Sequence, residues 1–420
     1  MKKILSLISF VSLGLTSIQA QTISEGYYRI RSGNDAYASM VNNNIDKTSY
    51  DNLKSGGSGS LYALRLKPRK EVISDPGSIV YISNTNGSYV LSSQGVNTQD
   101  ITGNLPLEIR NRVGAVTAPS GAYFLYGTYA GATRYLFDSY DVYDTDLDTE
   151  GNAAYYTYIY AIGSQNSGNY TVSSKNSNWY FLPIDNNEEY FGITPESDIK
   201  VGDKYYTTVY CSFPFQVTGD MKAYYVSGLK ASYGAAKLNL IEDGIVPANK
   251  AVIIECTSTD PAVNKVKVGV NPSSTIMTSL NGVYFSYIKK SSNGTDENVT
   301  ENMAKLKNAK TYNPSSMRVL GLSANGELAF VKAADSKLHV TNKGKYLRAN
   351  KAFVELGNAA ETIILNDTGI DTGISSIQNN NVESTDIYNL KGQKVADKGT
   401  NLDELPRGLY IINGKKVIKD

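Results

Sequence analysis

The sequence predicts an all-β protein built from several strand-rich units, on three observations. Tyrosine occurs 32 times, against 10 phenylalanines and one tryptophan, and a ring with a polar tip suits a pleated, half-buried surface. Apolar runs beyond the N-terminus are short, and 36 glycines supply turns between them. No stretch carries a convincing helical period, whereas strand, turn and strand recur throughout. About 400 residues beyond the leader give room for two or three domains.

Residues 1–20 form the first element. Lys2 and Lys3 are a short positive segment, residues 4–16 are apolar with one glycine, and Ser17-Ile18-Gln19-Ala20 sets small residues near a cleavage point. This pattern predicts a cleaved secretory signal with Gln21 as the new N-terminus. The apolar run is shorter than the roughly 20 residues a membrane span needs, and no second run of that kind follows. No integral membrane segment is therefore expected after cleavage. No cysteine lies near the cleavage point to carry a lipid, so the expected product is secreted or at the cell surface and is not a lipoprotein.

The chain carries 41 basic and 40 acidic residues, and without Lys2 and Lys3 the balance is 39 to 40, a net −1. That balance offers no global positive field, so nucleic acid is not expected as a partner.

Residues 21–186 contain three landmarks. Gly26-Tyr27-Tyr28-Arg29-Ile30-Arg31 precedes a turn at Gly33-Asn34-Asp35. Ser78-Ile79-Val80-Tyr81-Ile82 precedes Asn84-Thr85-Asn86-Gly87 and Tyr89-Val90-Leu91. Ala122-Tyr123-Phe124-Leu125-Tyr126 precedes Gly131 and Arg134-Tyr135-Leu136-Phe137. Each reads as a hairpin, and their recurrence at about 45 to 50 residues suggests an internal repeat. The pattern resembles the ricin-type β-trefoil, in which a Tyr-Arg-Ile hairpin opens each of three lobes. On that resemblance Asn178-Trp179-Tyr180-Phe181-Leu182-Pro183 closes the third lobe, with Trp179 in the core, and Leu64-Arg65-Leu66-Lys67-Pro68 closes the first. The family's repeated Gln-x-Trp is absent from this chain. An irregular β-barrel or sandwich is the alternative.

Residues 187–368 change character. Tyr205-Tyr206-Thr207-Thr208-Val209-Tyr210 runs into Cys211-Ser212-Phe213-Pro214-Phe215. Ala248-Asn249-Lys250-Ala251 leads into Val252-Ile253-Ile254-Glu255, and a near copy, Ala349-Asn350-Lys351-Ala352, leads into Phe353-Val354-Glu355-Leu356. In both copies a polar turn delivers the chain into an apolar strand, which is a structural role. Short strands with frequent turns predict a β-sandwich. The order of motifs resembles an accessory β-sandwich module common in secreted proteins of the Bacteroidetes, and that resemblance implies no enzyme.

Residues 369–385 read as a polar linker. Residues 386–420 then hold Ile387-Tyr388-Asn389-Leu390-Lys391-Gly392-Gln393-Lys394-Val395 and, after a gap, Gly408-Leu409-Tyr410-Ile411-Ile412-Asn413-Gly414-Lys415-Lys416-Val417, predicting a small β-hairpin module. It resembles the C-terminal tail of the type IX secretion sorting domain, which implies secretion machinery as a partner. A further segment that opens full sorting domains is missing here.

His339 is the single histidine. Zinc sites built on paired histidines cannot form, and a Ser-His-Asp or Cys211–His339 pairing would depend on it alone. No Gly-rich phosphate loop or Gly-x-Ser-x-Gly turn occurs. Cys211 and Cys256 lie in apolar runs of a chain bound for an oxidising compartment, which leaves open a disulfide or two buried thiols. Asp144, Asp146 and Asp148 alternate at a spacing that can wrap oxygen ligands around Ca²⁺, with a solvated acidic loop as the alternative and no other cofactor indicated. Tyr129, Tyr140 and Tyr143 flank these acidic turns and are the candidate ligand contacts, because aromatic faces stack on sugars and anchor interfaces.

The expected function is therefore an exported, non-catalytic protein that holds a glycan or protein outside the cell through its N-terminal β domain. A structural or adhesive spacer is the alternative. An all-β glycoside hydrolase is a third reading, since that chemistry needs only two suitably spaced carboxylates.

Overall fold

The computed structural model describes residues 23–41, 59–85, 88–97, 107–111, 123–129, 133–147, 153–165, 178–185, 187–229, 234–286, 310–341, 344–357, 359–366, 386–389, 392–396, 405–412 and 415–419. The segment expected to be a signal, residues 1–20, and the expected linker at 369–385 lie outside them. The chain is all-β with curled sheets. Among the described residues its one α-helix is the four-residue Arg69–Val72.

In the first unit six strands close into a ring of antiparallel neighbours. They are Gly26–Ser32, Val80–Thr85, Ser88–Ser93, Leu107–Asn111, Tyr123–Tyr129 and Trp179–Pro183, the last returning to the first. Between alternate ring strands the chain makes three excursions: Tyr37–Met40 with Gly59–Lys67, the short Val96–Asn97, and Thr133–Leu147 with Ala153–Gln165. The order is thus strand, excursion, strand, three times. The apolar positions of the ring strands, including Ile30, Ile82, Leu91 and the fully buried Trp179, supply its core.

This phase differs from the repeat expected from sequence. The hairpin joining residues 80–85 to 88–93 lies between two excursions, so the ring strands that lead into an excursion start at Gly26, Ser88 and Tyr123. Thr85 pairs with Ser88, with residues 86 and 87 outside the described structure, and an Asn-Gly pair between alternating strands is a strong short-range hairpin signal. That local signal is strong wherever it falls in the larger repeat. Likewise Leu64, Leu66 and Lys67 belong to an excursion strand paired with Tyr37–Met40.

The strands at 191–366 form a separate set. A small sheet takes the order Phe191–Gly192, Lys265–Val268, Phe215–Val217, Ile245–Val246. A ten-stranded curled sheet has at its heart Val252–Cys256, flanked by Lys204–Val209 and Lys222–Ser227. Every residue of Val252–Cys256 is buried, because the strand is covered on both faces. Val252, Ile254 and Cys256 pack with Phe191, Phe213, Phe215 and Val266 of the small sheet. Ile253 faces the other way, into a cluster with Val226, Phe330, Val354 and Ile363. A strand covered on both faces reads as a continuous apolar run, as Val-Ile-Ile does here.

The two near-copied turns are structural copies as well. Asn249 and Asn350 both adopt left-handed backbone, with φ of 61° and 59°, a conformation that asparagine tolerates better than most residues. They grip one dipeptide from two sides: Asn249 N donates to Cys211 O at 2.9 Å, and Tyr210 N donates to Asn350 O at 2.9 Å.

The C-terminal strands form a four-stranded antiparallel sheet in the order Lys394–Ala396, Ile387–Asn389, Gly408–Ile412, Lys415–Lys419. Two hairpins are joined side by side there, where a single hairpin module was expected.

A continuous seam joins the first two units. Tyr27 meets Phe213 edge-on with centroids 6.1 Å apart, Gln94 N donates to Ser212 Oγ at 2.8 Å, and Gly192 N donates to Ile73 O at 3.1 Å. Arg29, fully buried, binds Glu189 Oε2 at 3.1 Å, Ser78 Oγ at 3.2 Å and Val72 O at 3.0 Å. Arg69 closes on the other oxygen of Glu189.

Candidate functional site

A cleft of about 560 Å³ opens at this seam. One wall is Ser74 to Pro76 of the first unit, held by a turn in which Asp75 Oδ1 accepts from Gly77 N at 2.9 Å. Residues 191–198, Thr207 and Thr208 line the other side, with Lys337 from the 3₁₀ turn Asp335–Lys337 and with Arg348 and Lys351 from the turn around Asn350. Local structure sets each of these. Glu196 is positioned by strand pairing opposite Tyr206, and Lys351 follows the left-handed Asn350 at the mouth of its strand.

The charges are tightly organised. Lys337 Nζ donates to Glu196 Oε2 at 2.5 Å and also binds Asp198. Lys351 Nζ donates to Thr207 Oγ1 at 2.5 Å and lies 3.5 Å from Glu196 Oε1. Arg348 Nη2 donates to Ser336 O at 2.5 Å. Asp75 is already engaged by Lys67 Nζ at 2.6 Å and Ser39 Oγ at 2.7 Å. Three cations therefore face two carboxylates, a local excess of positive charge.

Burial lowers the pKa of the Lys351 amine. Glu196 opposes that shift, while the neighbouring cations Arg348 and Lys337 add to it. The hydrogen bond from Lys337 holds Asp198 below the usual carboxylate range. A glycosidase acid needs the opposite shift, toward retention of its proton. The arrangement suits binding of an anion better than proton donation by Asp198.

A second polar cluster surrounds Glu255. Its Oε2 accepts from Tyr206 Oη at 3.0 Å and Tyr224 Oη at 2.9 Å, and burial pushes both phenols well above their ordinary range. With the carboxylate already satisfied inside the sheet, this cluster serves the fold.

The residues singled out by sequence lie elsewhere. Tyr129 ends its ring strand opposite Thr133. Tyr140 and Tyr143 pair with Tyr158 and Tyr155 in the long excursion, and Asp144 lies opposite Ala154. The side chains of these residues, and Asp148 altogether, lie outside the described structure. Asp144 and Asp146 belong to the strand Thr133–Leu147, where a wrapped acidic loop was expected. An extended strand advances about 3.3 Å per residue, so it lays successive aspartates out in a line.

Cys211 and Cys256 are free, buried thiols, and the disulfide left open by sequence is not formed. The register explains this. Val209 pairs with Val252 while Tyr205 pairs with Cys256, so the cysteines mark opposite ends of the strand pair, roughly 20 Å apart. A bridge needs Cα atoms within about 7 Å. Burial pushes both thiols up to about 12, which removes Cys211 as a thiolate nucleophile. His339 lies half-buried on Leu338–Thr341 opposite Tyr346.

Sequence reasoning missed the cleft because its cations and carboxylates come from segments more than a hundred residues apart. The one available signal was Lys351, the polar residue inside the second copied turn. No protein-family model, curated protein or solved structure matches the chain.

Proposed function

We propose that this chain is an exported, non-catalytic binding protein of the cell surface or surroundings, which holds a glycan or protein through its N-terminal β unit. The observation that carries this reading is the long ribbon of Thr133–Leu147 and Ala153–Gln165. Among the described residues, strand pairing from outside reaches Ala153–Gln165 between Thr157 and Ala161, from Gly59–Lys67, and reaches Thr133–Leu147 between Thr133 and Leu136, from Tyr123–Tyr129. Among the described pairings, the end of the ribbon bearing Tyr143 and Asp144 pairs with itself alone. A two-stranded extension carrying tyrosines and acids is built for contact more than for core packing.

The ring with three excursions supports a β-trefoil reading of the first unit, since that fold is a six-stranded barrel interrupted by three hairpins. The two apolar clusters on opposite faces of Val252–Cys256 support a layered, sandwich-like reading of the second unit. Export rests on the leader and on the terminal tail, which would engage the secretion machinery.

The test is a glycan array probed with the chain from Gln21 onward, beside the double variant Tyr140→Ala, Tyr143→Ala. Retention of particular glycans by the parent and a loss of at least about tenfold in the variant are expected, as for truncated aromatic anchors. A blank array for the parent removes glycan as the ligand. Undiminished binding by the variant removes the ribbon as the site.

A further inference from the structure

The lining of the cleft includes no described ribbon residue, and the cleft has a chemistry of its own. Its volume of about 560 Å³ falls within the range of small-molecule sites. Ser74, Thr194 and Ser197 place hydroxyls on its two walls, and Ser74 Oγ lies 2.7 Å from Thr194 Oγ1 across the seam. Arg348 is exposed at the rim, and among the described residues its guanidinium makes one hydrogen bond, to Ser336 O. The rest of that planar fork is open, in a geometry that matches a carboxylate.

We propose that this cleft binds a small hydroxylated carboxylate, the chemistry of a sugar acid, with Arg348 as the partner of the carboxylate and the wall hydroxyls as partners of the ring. The charge balance selects a monoanion. Lys337 and Lys351 are held by Glu196, Asp198 and Thr207, and Arg348 acts on Asp198 only at longer range, so Arg348 is the one cation of the three whose hydrogen bonds do not go to these groups. A dianionic group such as phosphate would carry its second charge toward two ionised carboxylates. Neutral sugars leave Arg348 unpaired, and a bare carboxylate leaves the hydroxylated walls to water.

The sole histidine provides a reporter. After burial, Arg348 and then Arg65 hold the pKa of His339 down. A carboxylate on Arg348 offsets that repulsion, so the His339 midpoint rises on occupancy, and the rise depends on the Arg348 guanidinium.

The experiment is calorimetric titration of the chain from Gln21 onward with D-glucuronate, D-glucose and acetate. An NMR titration of His339 is run with and without glucuronate. Glucuronate is expected to bind more tightly than either control and to raise the His339 midpoint. Arg348→Gln is expected to weaken glucuronate by at least about tenfold and to abolish that rise, with Arg348→Lys intermediate because charge survives without the fork. Since Arg348 is exposed and lies outside the apolar clusters, both variants should fold, which circular dichroism verifies. Acetate or glucose binding as tightly as glucuronate overturns the proposal, as does glucuronate affinity that survives in Arg348→Gln. An absence of glucuronate binding to the parent overturns it too, and leaves the ribbon reading standing.

Discussion

His339 is half-buried, and its pKa is lowered by burial and then by the charges of Arg348 and Arg65, in that order. The unfolded chain therefore takes up the proton first as pH falls. Stability should rise with pH through the interval between the folded pKa and the ordinary value near 6.5, and be lost on acidification through it. Because the chain has one histidine, its ring signal in an NMR titration is unambiguous. A midpoint below 6.5 is expected, and a midpoint at or above 6.5 would contradict this environment. Sequence marked His339 as the one residue on which any histidine chemistry would depend. The arginines that tune it lie at positions 65 and 348, too far along the chain for any local pattern to reveal.

At the scale of elements, the copied Asn-Lys-Ala turns show what a short motif can and cannot convey. The motif marked two turns feeding two strands, and both asparagines are left-handed as the residue type allows. It could not show that both turns close on Tyr210 and Cys211. Gly282 completes that clamp. It pairs with Ala352 beneath the buried Tyr210 ring, which stacks on Tyr284 at 4.6 Å. A Cβ at Gly282 would overlap the Tyr210 ring, and neither partner can swing toward solvent. Gly282→Ala is expected to cost about 3 kcal/mol, the upper range for overpacking, as read by urea unfolding. A change below about 0.5 kcal/mol would mean that the ring moves freely. The acidic segment teaches the reverse lesson. Asp-rich sequence resembles a loop, yet pairing with Ala153–Gln165 carries the strand through Asp144 to Leu147, because strand partners override local propensity.

At the scale of the whole molecule, the first two units meet through apolar rings and through one buried ion cluster. Arg29 and Arg69 share the Glu189 carboxylate, with Arg29 fully buried. Removing the acid leaves a guanidinium desolvated without its counter-charge, for which the expected loss is about 3 kcal/mol in Glu189→Gln. Because the cluster sits on the connection between the units, the variant should unfold in two transitions if the parent unfolds in one. Scanning calorimetry reads both quantities, and an unchanged single transition at the parent's Tm would show the seam to be held by its apolar contacts alone.

Sequence by itself determined the all-β character, the turns at Asn and Gly and the burial of Trp179. Each of these depends on residue type and near neighbours, through strand alternation, left-handed turns or apolar run length. Only the tertiary structure decided the phase of the threefold ring, the separation of Cys211 from Cys256 and the meeting of Glu196, Lys337, Arg348 and Lys351 in one cleft. Those outcomes depend on which strands pair and in what register. Register is set by packing between segments distant in the chain, where the local pattern is silent.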